Sequence, residues 1–137
     1  MRTELKPQIA ADERRSAINA KTERILSAAF RVSNVLGCGF LEKVYENALA
    51  YELRKCGFDV QQQYFVTVRY DGVIVGEYIA DIIIDEEILV EIKAIKSFDD
   101  VHLAQCLNYL KATGMNICLL LNFGTSRVEV KRVVHNF

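Results

Sequence analysis

The chain has 137 residues, 51% of them hydrophobic and 26% charged, and a formal net charge of −1. That length suits one compact domain whose core stands without disulfide or metal staples. The near-neutral balance excludes a global basic footprint for nucleic acid, so any basic surface has to be local.

Residues 1–16 are polar, carry the only proline, Pro7, and show no apolar period, so they read as a flexible N-terminal arm or a poorly anchored helix ahead of a single domain, 17–137. From Ser16 or Asn19 a helical pattern begins, with Ile18, Ile25, Leu26, Ala29, Val32 and Leu36 at three- and four-residue steps. Gly37-Cys38-Gly39 ends it. A second helix is predicted over Glu42 to Lys55, with Tyr45, Ala48, Leu49 and Leu53 inward. Val60 to Tyr70 alternates as a strand, Asp71-Gly72 is a hairpin signal, and the return strand runs from Val73 past Gly76, a candidate bulge, into IADIII. After the strand ILVEIK, Ser97 or Asp99 caps a helix that Thr113-Gly114 stop. Two strands close the chain: Asn116 to Asn122, apolar enough for burial on both faces, and Arg127 to Val134. The order α-α-β-β-β-α-β-β predicts a mixed β-sheet flanked by helices, an α/β fold. The helix before ICLLLN is a crossover, so the strands it joins are expected to be parallel neighbours.

Cys38, Cys56, Cys106 and Cys118 have no C-x-x-C or C/H metal spacing and read as reduced thiols of a cytoplasmic protein. His102 and His135 lack partners at zinc spacing, which leaves them solvated or capping roles. The N-terminus has no apolar signal region, and no apolar run reaches the ~18 residues of a membrane span.

The stretch from Ile79-Ala80-Asp81 to Glu91-Ile92-Lys93 carries the candidate chemistry. Alternation puts Ile79, Asp81 and Ile83 on one face, and Leu89, Glu91 and Lys93 on one face of the next strand. If Asp85-Glu86-Glu87 form a three-residue loop, Ile84 faces Ile88 and Asp81 faces Glu91, with Lys93 one pleat further along. A two-residue loop would slip the pairing and separate the carboxylates. Two facing carboxylates repel unless a cation intervenes. Hard oxygen ligands suit Mg²⁺ or Mn²⁺, which leaves the lysine free to act on a water or a phosphate. The bland alternative is a set of cross-strand charges at a solvated edge, but both strands are too apolar for that.

Other residues carry weaker signals. Glu42 opens the second helix, where an acid favours the helix dipole, and Tyr45 and Glu46 follow one turn later. Gln105 and Tyr109 are four apart on the helix after the Glu91 strand. Each alone reads more simply as a satisfied polar group at the core edge. Lys96, Lys111, Arg127, Lys131 and Arg132 suit phosphates, though a solvated charged face is the commoner explanation.

Taken together these residues resemble a known family. Gly39-Phe40-Leu41-Glu42-Lys43-Val44-Tyr45 matches the G-x-x-E-x-x-Y signature of the GxxExxY protein family. Asp81 with Glu91-Ile92-Lys93 resembles the D…(D/E)-x-K core of the PD-(D/E)xK nuclease superfamily, and Gln105 to Tyr109 is similar to the Q-x-x-x-Y element of its RecB-like exonuclease branch. Ala80 stands where the superfamily name has proline. The resemblance, over about residues 17 to 134, implies a restriction-endonuclease-like core and a metal-dependent nuclease acting on DNA ahead of RNA. It implies that Asp81, Glu91, the Ile92 carbonyl and Glu42 bind Mg²⁺ or Mn²⁺, that Lys93 orients or activates the attacking water, and that Gln105 and Tyr109 support the site. A small nuclease domain often needs a dimer to engage both strands, so a homodimer is one expectation. The alternative is a catalytically silent nucleic-acid-binding or protein-interaction module that keeps the fold.

Overall fold

A computed structural model describes residues 2–137, with side chains from Ala10 onward. The elements are α1 (Arg2–Leu36), α2 (Glu42–Lys55), β1 (Val60–Tyr70), β2 (Val73–Ile84), β3 (Ile88–Lys93), α3 (Asp100–Thr113), β4 (Ile117–Asn122) and β5 (Glu129–Val134). The five strands form one sheet in the order β1-β2-β3-β4-β5. Only β3 and β4 run parallel; α3 is the crossover between them, as the element order predicts. The result is the mixed sheet with flanking helices expected from the sequence.

Two apolar layers hold it together. One side of the sheet, with Ile82, Ile84, Val90, Ile92, Leu119 and Leu121, packs against α1 and α2. The other, with Ala80, Ile83, Leu89, Cys118 and Leu120, packs against α3. β4 is buried along its whole length, its run of apolar residues from Ile117 to Leu121 ending in the buried, hydrogen-bonded Asn122.

Local chemistry sets the element ends. Asp71 and Gly72 both take left-handed backbone, as a tight two-residue hairpin demands. The register shift lies at Val68/Arg69, across from Gly76, with Val75 as the extra residue of β2. Asp99 caps α3: its carboxylate accepts from the Val101 N–H at 3.1 Å, and His102 Nδ1 accepts from the Asp99 N–H at 3.1 Å. His102 therefore has the capping role foreseen for it.

One boundary differs from the expectation. α1 begins at Arg2, so the segment up to residue 16 continues the helix rather than preceding it. Its Ala, Glu, Gln, Lys and Arg residues favour helix by propensity, against the cost of Pro7 within it.

Candidate active site

The site forms where the sheet ladder breaks. β2 and β3 pair at Ile84↔Ile88, Ile83↔Leu89 and Ile82↔Val90, the register of the three-residue loop. Continued one step, that register sets Asp81 across from Glu91, but no backbone pair forms there. Side chains replace it: the Asp81 N–H donates to Glu91 Oε1 at 3.1 Å, and the Ile92 N–H donates to Asp81 Oδ2 at 2.8 Å. The β1–β2 ladder is interrupted in the same row. Gln62 pairs with Ile82 and Tyr64 with Ala80, while Gln63 and Asp81 between them do not pair, and Gln63 has left-handed backbone at φ 55°.

This break corrects the sequence expectation of strict alternation. Ile82 and Ile84 face α1 and α2, whereas Ala80 and Ile83 face α3. The faces switch at Asp81, so Ile79, Asp81 and Ile83 do not share one. β3 keeps its alternation: Ile88, Val90 and Ile92 belong to the α1/α2 layer and Leu89 to the α3 layer, with Glu91 on the Leu89 side.

Burial dominates the electrostatics. Glu91 is only 3% exposed, and its carboxyl is pushed up to about 9, first by loss of water and then by the Asp81 charge. Burial also raises Asp81, against the opposing pull of the Ile92 N–H. Lys93 is half-buried and forms no ion pair among the described residues; its charge opposes the shifts of both acids. The pair is therefore short of positive charge: one oxygen of each carboxyl accepts from the backbone, and a hydrogen bond between the two carboxyls pulls Asp81 downward against its burial.

On one side, α2 supplies a cleft of about 530 Å³ that includes Phe40, Glu42, Lys43, Glu46, Gln63 and Asp81 in its lining. Tyr45 fixes the start of this helix. Its hydroxyl donates to the Gly37 carbonyl at 2.6 Å and accepts from the Phe40 N–H at 3.2 Å, and its ring stacks on Phe123 at 4.8 Å. The tyrosine of the G-x-x-E-x-x-Y pattern thus pins the glycine turn that precedes Glu42. Glu42 itself is exposed at the cleft rim. The buried acid is Glu46, one turn on, held by Gln62 Nε2 at 2.7 Å, Gln63 Nε2 at 2.9 Å and Lys43 Nζ at 3.1 Å. Its charge also pushes Asp81 upward. Sequence reasoning placed Glu46 on the Glu42 face but gave it no role, and it did not single out Gln63. The i, i+4 spacing from Glu42 was the available signal; nothing in β1 marks Gln63.

On the other side stand Gln105 and Tyr109 of α3. Gln105 Nε2 donates to the Tyr109 hydroxyl at 3.0 Å, and that hydroxyl donates to the Ile79 carbonyl at 3.4 Å. Burial pushes the phenol up to about 12, with the Glu91 and Asp81 charges adding to it. Beyond Lys93 the chain is clamped by Asn122, which is fully buried. Its carboxamide accepts from the Ile95 N–H and donates to the Ile95 carbonyl, both at 2.9 Å. Gly124 makes this approach feasible, since a Cβ there would lie 2.3 Å from the Ile95 oxygen.

The oxygens of Asp81, Glu91 and the Ile92 carbonyl are a hard donor set of the kind that suits a divalent cation. Among the described residues no three His, Cys, Asp or Glu side chains converge at ligand spacing, so neither Glu42 nor Glu46 completes the pair. Nor is any described helix long and apolar enough to cross a membrane.

Comparison with known proteins gives one family. A model of the PD-(D/E)XK nuclease superfamily matches residues 19–133. No curated protein matches the sequence. Among solved structures, an alkaline exonuclease from Laribacter hongkongensis aligns at 12% identity over 79% of this chain and 76% of its own, with a TM-score of 0.46.

Proposed function

Because this chain belongs to the PD-(D/E)XK nuclease superfamily, we propose that it is a metal-dependent nuclease that hydrolyses phosphodiester bonds of nucleic acid, DNA ahead of RNA. The observation that carries this reading is the Asp81–Glu91 pair, held on the backbone at the break in the ladder, beside Lys93, which forms no ion pair among the described residues. The finer placement, in the GxxExxY family and near the RecB-like exonucleases, is supported by the Tyr45 anchor at the glycine turn and by the Gln105–Tyr109 hydrogen bond. We take residues 17–137 as the nuclease domain and the cytoplasm as its place of action.

In this reading Asp81, Glu91 and the Ile92 carbonyl hold Mg²⁺ or Mn²⁺, with Glu42 or Glu46 approaching when substrate is present. Such a cation lowers the pKa of a water and offsets negative charge that develops on the phosphate. In the net reaction a water oxygen bonds to phosphorus and the bond to one sugar oxygen breaks. One proton of the water ends on that oxygen, leaving a phosphomonoester and a hydroxyl. Lys93 orients the water and stabilises the phosphate oxygens as charge grows there. Gln105 and Tyr109 keep the outer β2 backbone at Ile79 against α3, which fixes the approach to Asp81. Asn122 keeps the exit from β3 fixed, and Lys93 with it.

The test is calorimetric titration of Mn²⁺ into the wild type and Asp81→Asn, followed by cleavage assays on labelled DNA. We expect metal heat that Asp81→Asn abolishes, and Mn²⁺-dependent cleavage that Lys93→Ala lowers by about 10²–10⁴-fold. Cleavage undiminished in both variants would show the site assignment to be wrong. A second reading is favoured by the lack of a third acid at ligand spacing: a silent nucleic-acid-binding or protein-interaction module. A wild type that binds DNA but neither Mn²⁺ nor Mg²⁺ would select it.

A further inference from the structure

A second cleft, of about 540 Å³, opens between α3 and the outer half of the β1–β2 hairpin. Thr67 and Arg69 of β1, Tyr78 of β2, and Asn108 and Lys111 of α3 help to line it. No acidic side chain does. Arg69 and Lys111 are exposed, and neither side chain makes an ion pair or hydrogen bond among the described residues. Two uncompensated cations face the same space from two different elements, beside three side chains able to donate hydrogen bonds, Thr67, Tyr78 and Asn108. That combination selects an anion.

The cleft adjoins the candidate active site through named contacts. The Tyr78 ring meets the Tyr109 ring edge-on at 5.9 Å, and Tyr109 is bonded to Gln105 and to the Ile79 carbonyl. Along α3 the polar residues Gln105, Asn108 and Lys111 recur every three positions, so they lie near one another on the helix surface. At ~1.5 Å per residue the row from Gln105 to Lys111 is about 9 Å long. Along β2, Tyr78 lies about 10 Å from Asp81 at ~3.3 Å per residue. Both lengths correspond to roughly three stacked nucleotides at 3.4 Å each.

Resting on the nuclease reading, we propose that this cleft holds a backbone phosphate of the substrate strand within about three nucleotides of the bond cleaved, with Arg69 and Lys111 as its cationic contacts. Tyr78 is half exposed and offers a ring face to the neighbouring base. The contact is sequence-independent: it positions the strand and carries no base readout.

The experiment measures binding of a fluorescent 12-nucleotide single-stranded DNA by anisotropy over a range of KCl, with chelator present so that nothing is cut. Wild type is compared with the double variant Arg69→Ala/Lys111→Ala and the charge-preserving Arg69→Lys/Lys111→Arg, each also titrated with Mn²⁺. We expect the alanine pair to weaken binding by about tenfold and to reduce the slope of log K against log salt by about 1.4, while the charge-preserving pair retains most of both. Mn²⁺ binding should be the same in all three. A double alanine variant with wild-type affinity and slope overturns the proposal, as does a wild type that binds no oligonucleotide. The Mn²⁺ titrations judge the nuclease reading separately, so loss of metal binding in wild type is distinguishable from failure of the cleft.

Discussion

The two halves of β2 are built for different purposes. From Ala80 to Ile84 every residue except Asp81 is buried, between α1 and α2 on one side and α3 on the other. From Val73 to Ile79 the same strand is almost wholly exposed, although its residues are nearly as apolar. Hydrophobicity alone does not separate them; the helices do, since α1 and α2 pack on the inner half and α3 meets the outer half across an open cleft. Asp81 stands at the boundary, where the ladder breaks and the faces switch. A carboxylate in the middle of the buried half would have no water and no partner. In the exposed half it would lose the burial that disturbs its charge. The junction supplies both burial and access.

This contrast can be broken or sharpened by measurement. The largest effect is expected in the inner half: Ile83→Ala should lower unfolding free energy by about 2–5 kcal/mol in urea denaturation. The buried acids come next. The folded pKa of Glu91 is raised to about 9 from an ordinary 4.5, and Asp81 moves the same way, so their contribution is full in acid and is lost as pH rises through that window. Metal-free protein should therefore be less stable at pH 9 than at pH 5, and Glu91→Gln should flatten most of that slope. Lys21, which pairs with Asp85 at 3.0 Å, does not confuse the reading: its pKa is raised from 10.5 and that of Asp85 is lowered from 3.8, both outside the window. A stability that rises from pH 5 to 9 would contradict the account of the pair.

A smaller change is expected at the α2 start, where Tyr45→Phe removes the hydroxyl that joins the Gly37 carbonyl to the Phe40 N–H. It should cost about 1–1.5 kcal/mol by thermal denaturation. The smallest belongs to the outer half: Val75→Ala should stay within about 0.5 kcal/mol of wild type. If Val75→Ala approached the cost of Ile83→Ala, the exposed hairpin would have to be covered in solution.

Much of this was legible in the sequence, for identifiable reasons. Element order followed from periodicity and turn residues, and the parallel β3–β4 pair from the crossover rule. The register of the β2–β3 hairpin stayed conditional on loop length in the sequence, and the structure has the three-residue loop with Ile84 across from Ile88. What escaped was information held between elements. The face switch at Asp81 depends on a row interrupted in both the β1–β2 and β2–β3 ladders, which alternation within one strand cannot express. Glu46 gains its place through Gln62 and Gln63, which come from β1 rather than from its own helix. The early start of α1 rests on propensity without an apolar stripe, so a search for stripes passes over it. Gln105 and Tyr109 lie four apart on one helix, and the structure joins them by a hydrogen bond, but spacing alone favoured a plain core-edge role and only the family resemblance singled them out.

The interrupted ladder has a spectroscopic consequence. The amide protons of Asp81 and Ile92 end on carboxylate oxygens instead of carbonyls. Their chemical shifts and exchange rates therefore follow whatever proton or cation those carboxylates hold. Two backbone resonances would report on the state of the site with no substrate, no label and no turnover.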